Sequence, residues 1–275
     1  MNLSCHSWAF NDLRLPEALG TIARMGFRYV DLGSGSHFNT VRAANPATRK
    51  AVYEELQADL EMFNLKLADV YLMLPRISIS DETKRRTDIT LFKAVLPMVK
   101  ALGAPGVTIS AGVVHPEDDE EAYARTTSAL QEMLAAAQKL ELPLSIEPSL
   151  NSMAITDEQA LKLLEDVEGL KLTLDWGHLL YMGIKSGDIP ALLDHTRHIQ
   201  VRQAAPGKLQ MPFDKGKLNI EELYALLIEA NYQGALSIEY MLSGWQKSHN
   251  VSMIDEIIQL RDALRDARES LRLTE

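Results

Sequence analysis

Eight short runs rich in Val, Ile and Leu, each followed by a longer stretch with helical periodicity, constrain this chain more than any other feature. They are Leu3–Trp8 (LSCHSW), Tyr29–Leu32 (YVDL), Leu67–Leu72 (LADVYL), Gly106–Ser110 (GVTIS), Leu144–Pro148 (LSIEP), Leu172–Trp176 (LTLDW), His198–Arg202 (HIQVR) and Leu236–Tyr240 (LSIEY). A strand followed by a helix, repeated, builds a parallel sheet, and eight repeats are the number that closes it into a (β/α)8 TIM barrel. The length of 275 residues suits one such α/β barrel, and 46% hydrophobic composition is enough to fill its core. No Gly/Ser linker or low-complexity tract interrupts the pattern, so a single domain over residues 1–275 is expected.

The intervening segments carry helix punctuation. Leu15–Gly26 has Pro16 in its first turn and Gly26 past its end, and Thr87–Gly103 ends in the same way, with an expected kink at Pro97. Further helices are expected over Pro46–Phe63, Glu120–Leu140, Thr156–Val167 (opened by the Thr156/Asp157 cap) and Ile220–Ala230. A last amphipathic helix, about Ser252–Leu271, presents Ile254, Ile257, Ile258, Leu264 and Leu271 to the body or to a second subunit of a homo-oligomer.

Charge and cysteine usage exclude several functions. A net charge of −10 with no Lys/Arg run repels phosphate backbones and anionic membranes, so neither nucleic acid nor membrane is an expected partner. The one cysteine, Cys5, rules out an internal disulfide and a Cys-rich zinc site, which fits a reducing, cytoplasmic setting. No apolar run approaches the ~18 residues of a membrane span, and the N-terminal segment lacks a cationic start.

In a parallel barrel, alternate strand residues point inward, and an ionisable group at the inward C-terminal end of a strand sits at the active-site mouth. On the last four runs the inward positions read Ser145 then Glu147, Thr173 then Asp175, Gln200 then Arg202, and Ser237 then Glu239. Three carboxylates therefore converge on one rim. Unpaired, they would repel one another, and a divalent cation removes that cost; pairing with neighbouring Lys or Arg is the alternative. Oxygen-dominated ligands favour Mn²⁺, with Mg²⁺ or Co²⁺ next.

The segments LPLSIEP, LKLTLDWGHLLYMG and NYQGALSIEY, with MGFRYVDL and KALGAPGVTIS, resemble the xylose isomerase-like TIM barrels over nearly the whole chain. That family comprises sugar and sugar-phosphate isomerases and epimerases, with endonuclease IV and 3-dehydroshikimate dehydratase as relatives. The resemblance implies one divalent metal held by a Glu, an Asp, a His and a Glu on strands five to eight. By position these are Glu147, Asp175, Gln200 and Glu239, with Gln200 standing where the family has His and Gln203 where it has Asp. An amide oxygen still suits a hard cation, with reduced affinity; His198, deeper in the barrel, is the second choice. His178 resembles a family residue that contacts substrate or supports the site.

His6 and Trp8 are placed to line the substrate pocket, the indole offering an apolar face to a sugar ring, and Arg202 to anchor a substrate oxygen or to pair with a rim carboxylate. Cys5 and Trp176 should face the helices, and Lys208, Lys215 and Lys217 lie on a loop that could reach over the mouth.

The leading expectation is a metal-dependent isomerase or epimerase of a small sugar, keto-sugar or polyol derivative, with Glu147 and Glu239 as acid and base around an enediolate. A dehydratase using the same chemistry and a metal-free barrel with a binding role are the alternatives. Seven histidines and an acidic surface argue against the DNA-repair branch.

Overall fold

The computed structural model describes residues 1–116 and 118–272. Eight parallel strands close into a barrel in sequence order: β1 (Asn2–His6), β2 (Tyr29–Gly33), β3 (Lys66–Leu72), β4 (Val107–Ser110), β5 (Leu144–Glu147), β6 (Lys171–Asp175), β7 (Thr196–Val201) and β8 (Ala235–Ile238). Each coincides with one of the eight apolar runs. β8 pairs back onto β1, with Ser237 opposite Ser4, so the sheet has no free edge.

Outward positions on the strands, among them Cys5, Val30, Val70, Ile146, Leu174, Ile199 and Ile238, are fully buried against the surrounding helices and form the core. Cys5 faces that layer, as its position implies, and burial raises its thiol pKa far beyond the reactive range. Trp176 is buried in the same core.

Five strands, β1 and β5 to β8, end one or two residues sooner than the apolar runs do, and for β1 and β6 a side chain shows why. β1 stops at His6 because the imidazole Nδ1 accepts the Trp8 amide proton (3.1 Å), which starts a 3-10 turn over Ser7–Phe10 and puts Trp8 on the turn rather than the strand. β6 stops at Asp175, whose Oδ1 accepts the Gly177 amide proton (2.8 Å) and caps a helix over Trp176–Met182. That helix and those over Thr40–Ala44, Ile189–Leu193 and Trp245–His249 span five to seven residues, too few to show a period in the sequence.

The helix expected from Thr87 begins at Glu82, capped by the Asp81 side chain, and one helix runs through Pro97 to Ala101. The last helix, Met253–Arg272, buries Ile257, Leu260 and Leu264 against the body. Of the residues expected to face the body or a second subunit, Ile254 does not face the body, where Leu260 is buried as well. Lys208, Lys215 and Lys217 are solvent-exposed.

The barrel interior is polar. Asp31 on β2 accepts from the Ser4 hydroxyl (2.9 Å) and from His198 Nε2 (2.6 Å). Asp69, the register partner of Asp31 on β3, lies 2.9 Å from Arg197 Nη2, which also donates to Ser145 (2.7 Å) and Thr108 (3.0 Å). Arg197 reaches inward because Gly106 has no side chain: a Cβ there would lie 2.4 Å from its guanidinium. Burial alone would lift the Asp31 pKa and depress that of His198, but their mutual charge and hydrogen bond reverse both, which favours the ionised pair. His198 is thus committed to Asp31.

Candidate active site and family

At the C-terminal ends of β5 to β8 the fold gathers Glu147, Asp175, Gln200, Arg202 and Glu239, all buried. Asp175 and Gln200 are direct register partners on β6 and β7, and Gln200 is paired in turn with Ser237 on β8. Glu147 ends β5 and is held by Tyr71, whose hydroxyl donates to its Oε2 at 2.6 Å. Burial first, and then the Glu147 charge, push the Tyr71 pKa far up, so the phenol stays a donor.

His178, one turn into the helix after β6, brings Nε2 to 3.6 Å from Asp175 Oδ2 and 3.9 Å from Glu147 Oε1. Burial lowers its pKa against the opposing pull of Glu147, which leaves a neutral imidazole suited to ligation. One oxygen of Glu147, one of Asp175 and one nitrogen of His178 lie within 4.8 Å of one another, a spacing that could hold a metal ion.

The unpaired polar atoms nearby have the same character. Both amide atoms of Gln200, His178 Nδ1 and Glu239 Oε2 are buried with no hydrogen-bond partner among the described residues. Such groups are costly unless something else satisfies them. Hard oxygen donors with one imidazole fit a divalent cation of the Mn²⁺ or Mg²⁺ kind.

Arg202, just past β7, donates through Nη2 to Asp175 and through Nη1 to the Glu239 carbonyl (3.1 Å), while Nη2 lies 4.0 Å from Glu239 Oε2. This is the rim ion pair, one of the two roles its position allowed. Burial raises the Glu239 pKa well above the carboxylate range; Arg202 opposes the shift and the Glu147 charge adds to it.

His6 and Trp8 stand on the β1 side. The Trp8 ring packs 4.4 Å from His6 and 4.9 Å from Tyr71, centroid to centroid, and its Nε1 donates to the Ser34 carbonyl (3.0 Å). Burial drops the His6 pKa to about 3, and since Nδ1 already accepts from Trp8, the single ring proton sits on Nε2, a buried donor with no partner among the described residues.

Gln203, which stands where the family has Asp, turns away from this cluster. Its Oε1 accepts from the Leu218 amide (3.1 Å) and its carbonyl from the Met211 amide (2.8 Å), which ties down the loop after β7. Tyr71 was invisible as a functional residue in LADVYL because inward phenols and inward filler look alike there; only its two-residue offset from Asp69 was a signal. A separate cavity of about 590 Å³, lined by Tyr29, Lys66, Arg197 and Gly234, opens at the opposite end of the barrel and contains none of the three rim carboxylates.

Comparison with known proteins agrees with this architecture. An L-ribulose 3-epimerase structure superposes with a TM-score of 0.79 at 15% identity, covering 100% of this chain and 98% of that one. A D-psicose 3-epimerase from Clostridium cellulolyticum H10 gives 0.78 at 14% identity over 97% and 99%. A probable 3-DHS dehydratase, AsbF, from Bacillus anthracis gives 0.73 at 15% over 95% and 99%. At such identities the likeness establishes the fold alone. No curated protein matches the chain by sequence. The family model for xylose isomerase-like TIM barrels matches residues 19–272, and with that match the chain belongs to this family.

Proposed function

We propose that the protein is a divalent-metal-dependent epimerase or isomerase of a small keto-sugar or polyol derivative. The observation that carries this reading is the pairing of two carboxyls in unlike surroundings across one buried site: Glu147, oriented by the Tyr71 hydroxyl at 2.6 Å, and Glu239, beside the Arg202 guanidinium at 4.0 Å. Two such groups are what a reaction needs when a proton leaves one face of a carbon and another arrives elsewhere. The 3-epimerase structures that share this fold support the same substrate class.

Glu147, Asp175 and His178 would hold the cation, with Gln200 and Glu239 as further oxygen donors; Mn²⁺ suits this set best. When bound, the cation supplies electrophilic pull on adjacent carbonyl and hydroxyl oxygens and so acidifies the C–H between them. Glu147 removes that proton through a carboxylate oxygen, with the Tyr71 hydroxyl fixing the other. Glu239 delivers a proton from its own side: to the same carbon for epimerisation, to the neighbouring carbon for isomerisation. The unpaired His6 Nε2–H offers a donor to a sugar hydroxyl, and the packed Trp8 and Tyr71 rings limit water on that side. The buried thiol of Cys5 suits a reducing, cytoplasmic location.

The test is proton exchange in D₂O with Mn²⁺ across a panel of ketohexoses and 3-keto sugars, followed by NMR. Deuterium entering at the carbon beside the carbonyl, lost in Glu147→Gln and Glu239→Gln variants of unchanged fold, is the expected result. Wild-type-like exchange in either variant would refute the acid/base assignment. Loss of water from the product in place of exchange would assign the dehydratase chemistry that the AsbF likeness keeps in view.

A further inference from the structure

The guanidinium of Arg202 contacts Asp175 Oδ2, and the same oxygen lies 3.6 Å from His178 Nε2, in the triad that would take the metal. Two cations thus have a claim on one carboxylate oxygen. We propose that they hold it in turn: Arg202 is a resident counter-ion that closes the site, and an arriving divalent cation displaces it from Asp175 towards Glu239. This rests on the metal reading above and adds a control on loading that the ligand set alone would not have.

Three features make Arg202 a built-in occupant rather than a chance contact. It is 1% exposed, so its charge is placed there at a desolvation cost that only the neighbouring carboxylates offset. Its stem lies against Gly177, where a Cβ would stand 2.7 Å from both Cγ and Nε; the helix that carries His178 thus has no side chain where one would crowd the arginine. The Glu239 carboxylate, 4.0 Å from Nη2 and unpaired at Oε2, offers the displaced guanidinium a second partner within a short swing.

Like charges a few ångströms apart in a buried site repel strongly, so the arginine weakens the cation and the cation weakens the arginine's hold by the same factor. Calorimetric titration of EDTA-treated protein with Mn²⁺ reads this without turnover. R202Q should bind Mn²⁺ roughly tenfold or more tightly than wild type. G177A, which keeps every charge and crowds the arginine stem, should also tighten binding, and it stands in if R202Q does not fold. In ¹⁵N-labelled wild type the Arg202 Nε–H resonance, identified by its absence in R202Q, should shift on adding diamagnetic Mg²⁺ and stay still in E147Q.

Equal or weaker Mn²⁺ affinity in both variants, with wild type still binding and E147Q not, would overturn the arginine proposal while the metal reading survived. No binding by wild type, R202Q or G177A would overturn both.

Discussion

Replacing Asp31 by Asn removes the anionic half of a buried ion pair and leaves its volume unchanged. His198, 1% exposed, would keep a proton with no anion at 2.6 Å, or give it up. Breaking one partner of a buried pair costs about 3–5 kcal/mol. With an unfolding entropy of about 0.6 kcal/mol/K for a chain of this length, the melting temperature should fall by about 5–9 °C. The pH dependence carries a sign. His198 has a raised pKa in the folded state, so its contribution is complete below the unfolded value of about 6.5 and is lost as pH rises through the folded value. Asp31 has a lowered pKa, so its contribution is present above about 3.9 and is lost as pH falls through the folded value. The gap between wild type and Asp31→Asn should be widest between about pH 4 and 6.5 and narrow above that. Differential scanning calorimetry from pH 5 to 9 measures it. A variant as stable as wild type at pH 6, or a gap that widens with rising pH, would refute the ion-pair account.

Tyr71→Phe removes the 2.6 Å hydrogen bond to Glu147 and should cut turnover about tenfold to a hundredfold, through kcat, with the circular dichroism unchanged; steady-state kinetics on a panel substrate tests it. Gly106→Ala would press a methyl group against the Arg197 guanidinium and should destabilise the fold by about 1–3 kcal/mol, read by urea denaturation. Metal removal should matter to stability as well. Mn²⁺ at about 100 times its Kd should raise stability by about 2.7 kcal/mol over EDTA-treated protein, an upward shift of several degrees by thermal scanning. His178→Ala should reduce Mn²⁺ affinity at least about tenfold, because the triad loses its only nitrogen.

The alternation of apolar runs with helical segments located all eight strands, since in a parallel barrel each strand is a continuous apolar signal bounded by turns. The inward phase of β5 to β8 likewise brought Glu147, Asp175, Gln200 and Glu239 to one rim, because period-2 geometry leaves little freedom once the barrel is closed. What the sequence did not disclose depends on contacts distant along the chain. Asp31 and His198 are 167 residues apart, and nothing local distinguishes Asp31 in YVDL from a surface carboxylate. His198 looked like a reserve ligand until its partner was seen. Gln203 shares the amide chemistry of Gln200 yet serves a loop, because the chain leaves the strand after Val201 and alternation stops predicting direction there. Trp8 and Arg202 lie beyond strand ends for the same reason.

We propose that Glu147, Asp175 and His178 form a divalent-cation site. Its most direct measurement is titration of EDTA-treated protein with Mn²⁺, in parallel for wild type, Glu147→Gln and Asp175→Asn. One Mn²⁺ bound per chain in wild type, and none in the two variants under the same conditions, is the predicted result. No saturable binding by wild type, or undiminished binding in both variants, would contradict it.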